Sequence, residues 1–240
     1  MSETLKNIYL PCVEPLLDTW AVTKRGGDWS ITPSDDLSNT SVKERNIWYA
    51  EAMMSTLSAF SSFARAYLIY FDPLEKLDKL SQGETAENVV DGILIQWDFK
   101  EPYKKYLERA FQAVKNYPVD IYTIYVRIDL FVYVRTKESP DKPVRSWVRE
   151  CGDNSYEMAD IQIGIEHLMN NEPFLSFEMK HTLIYPFCHR SYDDNTELFE
   201  LNRPLLEEAL RSWKREFDVE IETDGLKGIY EYGFLPEDQW

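Results

Sequence analysis

Apolar and polar positions alternate most cleanly between Val119 and Arg135, a pattern that predicts a long β-strand. Ile124, Val126, Ile128, Leu130, Val132 and Val134 fall on one face, and Tyr125, Arg127, Asp129, Tyr133 and Arg135 on the other. A strand of this length is expected to bend or bulge midway. A second stretch, Met158 to Tyr185, reads as a hairpin. Ile161, Ile163 and Ile165 alternate with Gln162, Gly164 and Glu166, the polar Asn170-Asn171-Glu172-Pro173 turns the chain, and Phe174-Leu175-Ser176-Phe177 leads into Glu178-Met179-Lys180.

Helical spacing dominates elsewhere. Ser41 and Glu44 fit a capping box, and Tyr49, Met53, Phe60, Ala64, Tyr67 and Phe71 recur three and four residues apart. This predicts a helix over 42–71, stopped at Asp72-Pro73, with its aromatic face against protein as core or as a contact between copies in a homo-oligomer. Gly92 to Phe99 reads as a strand. Pro102 suits the first position of a helix whose buried stripe is Tyr103, Leu107, Ala110, Phe111 and Val114, closed by Pro118. Residues 136–157 read as a turn-rich, locally basic link carrying Lys137, Lys142, Arg145 and Arg149. Asn202 is placed to cap a last helix, with Pro204 at its start and Leu205, Leu206, Ala209, Leu210, Trp213 and Phe217 inward. Val219 to Phe234 reads as a closing hairpin around Asp224-Gly225. The expected fold is α+β: a mixed sheet flanked by helices over residues 101–240, with a mainly helical part over 1–100 packed on it as one continuous domain.

Composition narrows the function classes. The 240 residues carry a formal net charge of −16, which opposes non-specific attraction to nucleic acid or anionic membranes. With 44% hydrophobic and 14% aromatic residues, the chain can bury a substantial core. No apolar run reaches the roughly 18 residues of a membrane helix, and the N-terminal MSETLKNIYL lacks a secretory pattern. Three widely spaced cysteines, Cys12, Cys151 and Cys188, fit a reducing compartment. A cytoplasmic location is expected.

Chemistry is hinted at in one place. Asp160, Glu178 and Lys180 are charges written into strands apolar enough to be core, where a charge needs a partner or a metal. Glu178 and Lys180 share a strand face, and hairpin pairing can bring Asp160 to them. Together with an element order of helix, strand, strand, strand, helix, strand over residues 102–234, this resembles the PD-(D/E)XK nuclease superfamily. The resemblance implies that Asp160 and Glu178 ligate Mg²⁺ (or Mn²⁺), that Lys180 orients or activates the attacking water, and that Glu108 or Glu101 adds a further carboxylate. The substrate would then be nucleic acid. The alternative within the same strands is an ordinary sheet in which Asp160 pairs with Lys180 and Glu178 sits at the solvent rim.

A rival class follows from the charge. A compact acidic protein can act without catalysis as an inhibitor or immunity protein for a basic protein partner, or as a nucleic-acid mimic. His167, His181 and His189 with Cys188 lack zinc spacing, and Asp193-Asp194-Asn195 lacks the remainder of a calcium loop. Neither a Gly-rich phosphate loop nor a nucleophile elbow occurs.

Overall fold

Strand β5 (Ile121–Thr136) runs 16 residues through the middle of the sheet. In the structure, a computed structural model, residues 7–15, 22–74, 92–149, 159–166, 172–181 and 195–223 are described. They contain strands β1 (Cys12–Val13), β2 (Val22–Ile31), β3 (Ala64–Pro73), β4 (Ile93–Gln96), β5, β6 (Ser139–Val148), β7 (Asp160–Glu166), β8 (Glu172–His181) and β9 (Glu222–Thr223). Three helices accompany them: α1 (Val42–Ala59), α2 (Tyr103–Lys115) and α3 (Thr196–Phe217). The fold is α+β, as expected.

One edge of β5 is taken by β3, from Ala64 opposite Leu130 to Pro73 opposite Ile121. The other edge is shared end to end: β6 pairs from Thr136 to Leu130, and β7 from Arg127 to Thr123. Beyond β7 the sheet continues through β8, β2 and β9, while β4 extends it past β3 and β1 past β6. Among the described strands every pairing is antiparallel except that of β1 with β6. The irregularity anticipated for the long strand is present in its β3 pairing, between Ala66 and Leu68 and between Asp72 and Pro73.

The alternation in β5 decides which face becomes core. Ile124, Val126, Ile128, Leu130, Val132 and Val134 are all buried, in one layer with Ile161 and Ile163 of β7, Leu175 and Phe177 of β8 and Trp29 of β2. Helices α1 and α3 cover this face. Phe60 lies 4.8 Å from the Phe177 ring and 5.5 Å from Trp213, so one phenyl joins α1, β8 and α3. The indole N–H of Trp213 donates to the Thr56 hydroxyl at 3.2 Å. Helix α2 packs beside α1 and buries Tyr106, Ala110 and Val114.

Four expectations need correction. Helix α1 starts on the Ser41–Glu44 capping box as read, but it ends at Ala59 and the chain from Ala64 is strand β3. Ala64, Tyr67 and Phe71 keep helical spacing by coincidence. Four consecutive buried residues, Ala64 to Tyr67, erase the alternation that would have marked a strand. As a consequence, the described part of residues 1–100 is not mainly helical: it holds one long helix and four strands. The basic link over 136–157 is β6 for ten of its residues, so four strands rather than three stand between α2 and α3.

Asn202 is the fourth. It lies inside α3, which begins at Thr196, and Pro204 lies about two turns into the helix rather than at its start. The Asn202 side chain instead accepts the Tyr133 N–H at 2.7 Å and donates to the Tyr133 carbonyl at 2.9 Å. Its amide acts as one more peptide unit on the edge of β5 where β3 has ended. The closing hairpin is described only as far as β9, which pairs with β2. The remainder of that reading lies outside the described residues, as do His167, His189, Cys151, Cys188, Asp193 and Asp194.

Candidate functional site

The register of β5, β7, β8 and β2 sets four charged residues in one row on the polar face of the sheet. Arg127 is opposite Asp160, Asp160 is opposite Glu178, and Glu178 is opposite Asp28. Directly opposed residues in a sheet share a face, so Asp160 and Glu178 face each other across the β7–β8 pairing. Three carboxylates and one guanidinium share this row. Asp160 is buried, and its Oδ2 accepts from the Arg127 guanidinium at 2.7 Å. That charge-assisted bond offsets the desolvation of a carboxylate under the sheet surface. Glu178 is half-buried and Asp28 exposed, so the row grades from interior to solvent.

The next row along the same face is Tyr70, Tyr125, Gln162, Ser176, Ser30 and Glu222. The Tyr70 and Tyr125 rings are stacked with centroids 6.3 Å apart, and the Tyr70 hydroxyl donates to the Asp72 carboxylate. Burial raises the Tyr125 phenol, and the negative charges around it, Asp160 and Asp72 among them, add to the shift. The face therefore presents acids and hydroxyls with an aromatic pair at one end.

Of the remaining residues singled out by sequence, Lys180 stays on the strand of Glu178, and Glu108 and Glu101 lie apart on and before α2. Lys180 lies on β8 two residues beyond Glu178, past the last pairing with β7 and opposite the irregularity of β2 between Val22 and Gly27. Glu108 is exposed on α2 and 3.8 Å from Lys104, its neighbour one turn earlier. Glu101 holds Arg109 at 2.6 Å. Among the described residues no three His, Cys, Asp or Glu side chains come together as a metal-binding group. Two carboxylates, one of them already held by Arg127, are a poorer donor set than the oxygen-rich shell Mg²⁺ demands.

A second charged centre left only one faint trace in the sequence. Asp129 and Arg65 are register partners on β5 and β3, and neither side chain is exposed to solvent. Asp129 accepts from Arg65 Nε at 2.9 Å, and Arg149 forks onto the same carboxylate at 2.7 and 3.0 Å. The Arg65 guanidinium also donates to the carbonyls of Ile8 and Leu10 and lies 4.4 Å from the Trp147 ring centroid. It meets the Cys12 sulfur at 3.3 Å. Arg145 stacks on Phe131 and donates to the Ser62 carbonyl. Arg145 and Arg149 of the 136–157 stretch are thus occupied in packing, and Arg65 pins the N-terminal segment to the sheet. Only the placing of Asp129 on the polar side of its strand foreshadowed this, because its partner is 64 residues away.

No family model, curated protein or solved structure matches the chain. No helix among the described residues is long and apolar enough to cross a membrane.

Proposed function

We propose that the chain is a non-enzymatic binding protein whose polar sheet face engages a basic protein partner. The observation that carries this reading is the row Asp160, Glu178 and Asp28, aligned in register with Arg127 as its cation, on a chain of net charge −16. An exposed carboxylate can share its oxygens with a partner's guanidinium or ammonium, and the long-range field of so acidic a chain speeds the encounter. The test uses an arginine-rich peptide against the intact protein and the Glu178→Gln and Asp28→Asn variants, across a salt series. Association should slow steeply as salt rises, and each substitution should weaken binding. Equal rates at low and high salt, or variants that bind as the wild type does, would remove the reading.

The second reading is a divalent-metal-dependent nuclease of PD-(D/E)XK type, favoured by the direct opposition of Asp160 and Glu178. On that reading the two carboxylates would hold Mg²⁺ or Mn²⁺, which supplies charge stabilisation at phosphorus. Lys180 would act on water. Asp160→Asn and Glu178→Gln should then each abolish metal-dependent cleavage of DNA or RNA, with chelator as control. Cleavage that survives both substitutions would belong to a contaminant.

A further inference from the structure

We propose a second interaction surface, at the opposite charge balance from the acidic row, formed by Tyr9, Leu10 and Phe99 and fitting a protein segment with an apolar anchor flanked by carboxylates. Large apolar side chains exposed in a group mark contact sites more often than those exposed singly. Tyr9 and Leu10 are each 50% exposed and Phe99 40%. They lie around one point. Tyr9 is 6.0 Å and Phe99 4.2 Å from the buried Trp97 ring, and Phe99 and the Leu10 carbonyl both meet the Arg65 guanidinium.

The surface is held in place from beneath. Arg65 fixes the backbone of Ile8 and Leu10, and the Tyr9 hydroxyl accepts the Tyr103 N–H at 2.9 Å. Arg149 stacks on Tyr67 at 3.7 Å and lies 5.7 Å from Phe99 while bonded to Asp129. Side chains already ordered before binding lose less entropy when a partner arrives, and aromatic and arginine side chains dominate binding energy at interfaces.

Charge selects the occupant. Lys100, Lys104, Lys105 and Arg109 are exposed in the stretch 98–109, against the carboxylates of Asp98, Glu101 and Glu108, a balance of four cations to three anions. In a chain of net charge −16 this rim is locally cationic, which favours carboxylates around an apolar anchor. The density of unpaired cations is too low to offset the whole-molecule repulsion of a phosphate backbone: Lys104 faces Glu108 at 3.8 Å, and Arg149 is committed to Asp129.

The experiment titrates the full chain with a synthetic peptide in which leucine and phenylalanine are interspersed with aspartate and glutamate, reading backbone amide resonances. The amides of Tyr9, Leu10, Phe99 and Lys100 should shift. Leu10→Ser with Phe99→Ser should weaken the peptide by about tenfold or more, as loss of an anchoring contact does. Lys100→Glu with Lys104→Glu, which leaves the packing untouched, should weaken it too. The proposal is overturned by three results: unchanged affinity in both double variants, a single-stranded oligonucleotide shifting the same amides more strongly than the peptide, or a concentration-dependent dimer that disappears in the Leu10→Ser/Phe99→Ser variant.

Discussion

Arg127 on β5 holds Asp160 on β7 at 2.7 Å, at the point where β7 takes over from β6 along the same edge. Arg127→Gln leaves a buried carboxylate without its guanidinium. The expected loss is about 3 kcal/mol, the low end for breaking a buried pair, because Arg127 keeps part of its surface in water. Urea unfolding of Arg127→Gln, Asp160→Asn and the double variant checks it: the double variant should lose less than the sum of the singles. Additive losses would mean that the pair contributes no coupling.

The Arg65–Asp129 pair is more deeply set, with no exposure on either side chain. Asp129→Asn should destabilise the protein by about 3–5 kcal/mol, since two guanidinium groups lose their shared acceptor. Thermal unfolding measures it. A loss under about 1 kcal/mol, the range of an exposed pair, would contradict the burial described.

Phe60 joins α1 to β8 and α3 and is fully buried. Phe60→Ala should remove about 3–5 kcal/mol, combining lost transfer energy with an unfilled cavity. Phe60→Leu should lose markedly less. Equal losses would show that the site collapses around either side chain.

Burial, and after it the Asp129 charge, push the Cys12 thiol from 9.0 up to about 11, against the opposing pull of Arg65. Between about 9 and 11 the unfolded chain has released a proton that the folded protein keeps, so rising pH favours unfolding across that window. The comparison with Cys12→Ala isolates the thiol. The stability gap between wild type and Cys12→Ala should shift against the wild type as pH rises through the window, by equilibrium unfolding. Parallel pH profiles would count against it.

What was legible in the sequence was whatever a local period or a short motif could write. The β5 alternation, the Ser41–Glu44 box, the hairpin and the α2 stripe are decided within a few residues, and all four appear in the structure. Tyr106, missing from the stripe as read, is fully buried beside Trp97. Strand β3 escaped because it is buried on both faces near Arg65. Strand β6 escaped because Pro140, Pro143 and its charged residues imitate a loop. At the candidate site the opposition of Asp160 and Glu178 followed from the hairpin, whereas Arg127 as the partner of Asp160 depends on a pairing 33 residues apart. The ordinary-sheet alternative offers Lys180 as that partner.

The amide of Asn202 has a consequence beyond stability. Where β3 ends, the edge of β5 would offer Tyr133's N–H and carbonyl as a template to any extended strand that drifts past. Asn202 occupies both groups with one side chain. In crowded or partly unfolded conditions this plug stands between the protein and intermolecular β-sheet, and Asn202→Leu should surface first as aggregation during refolding.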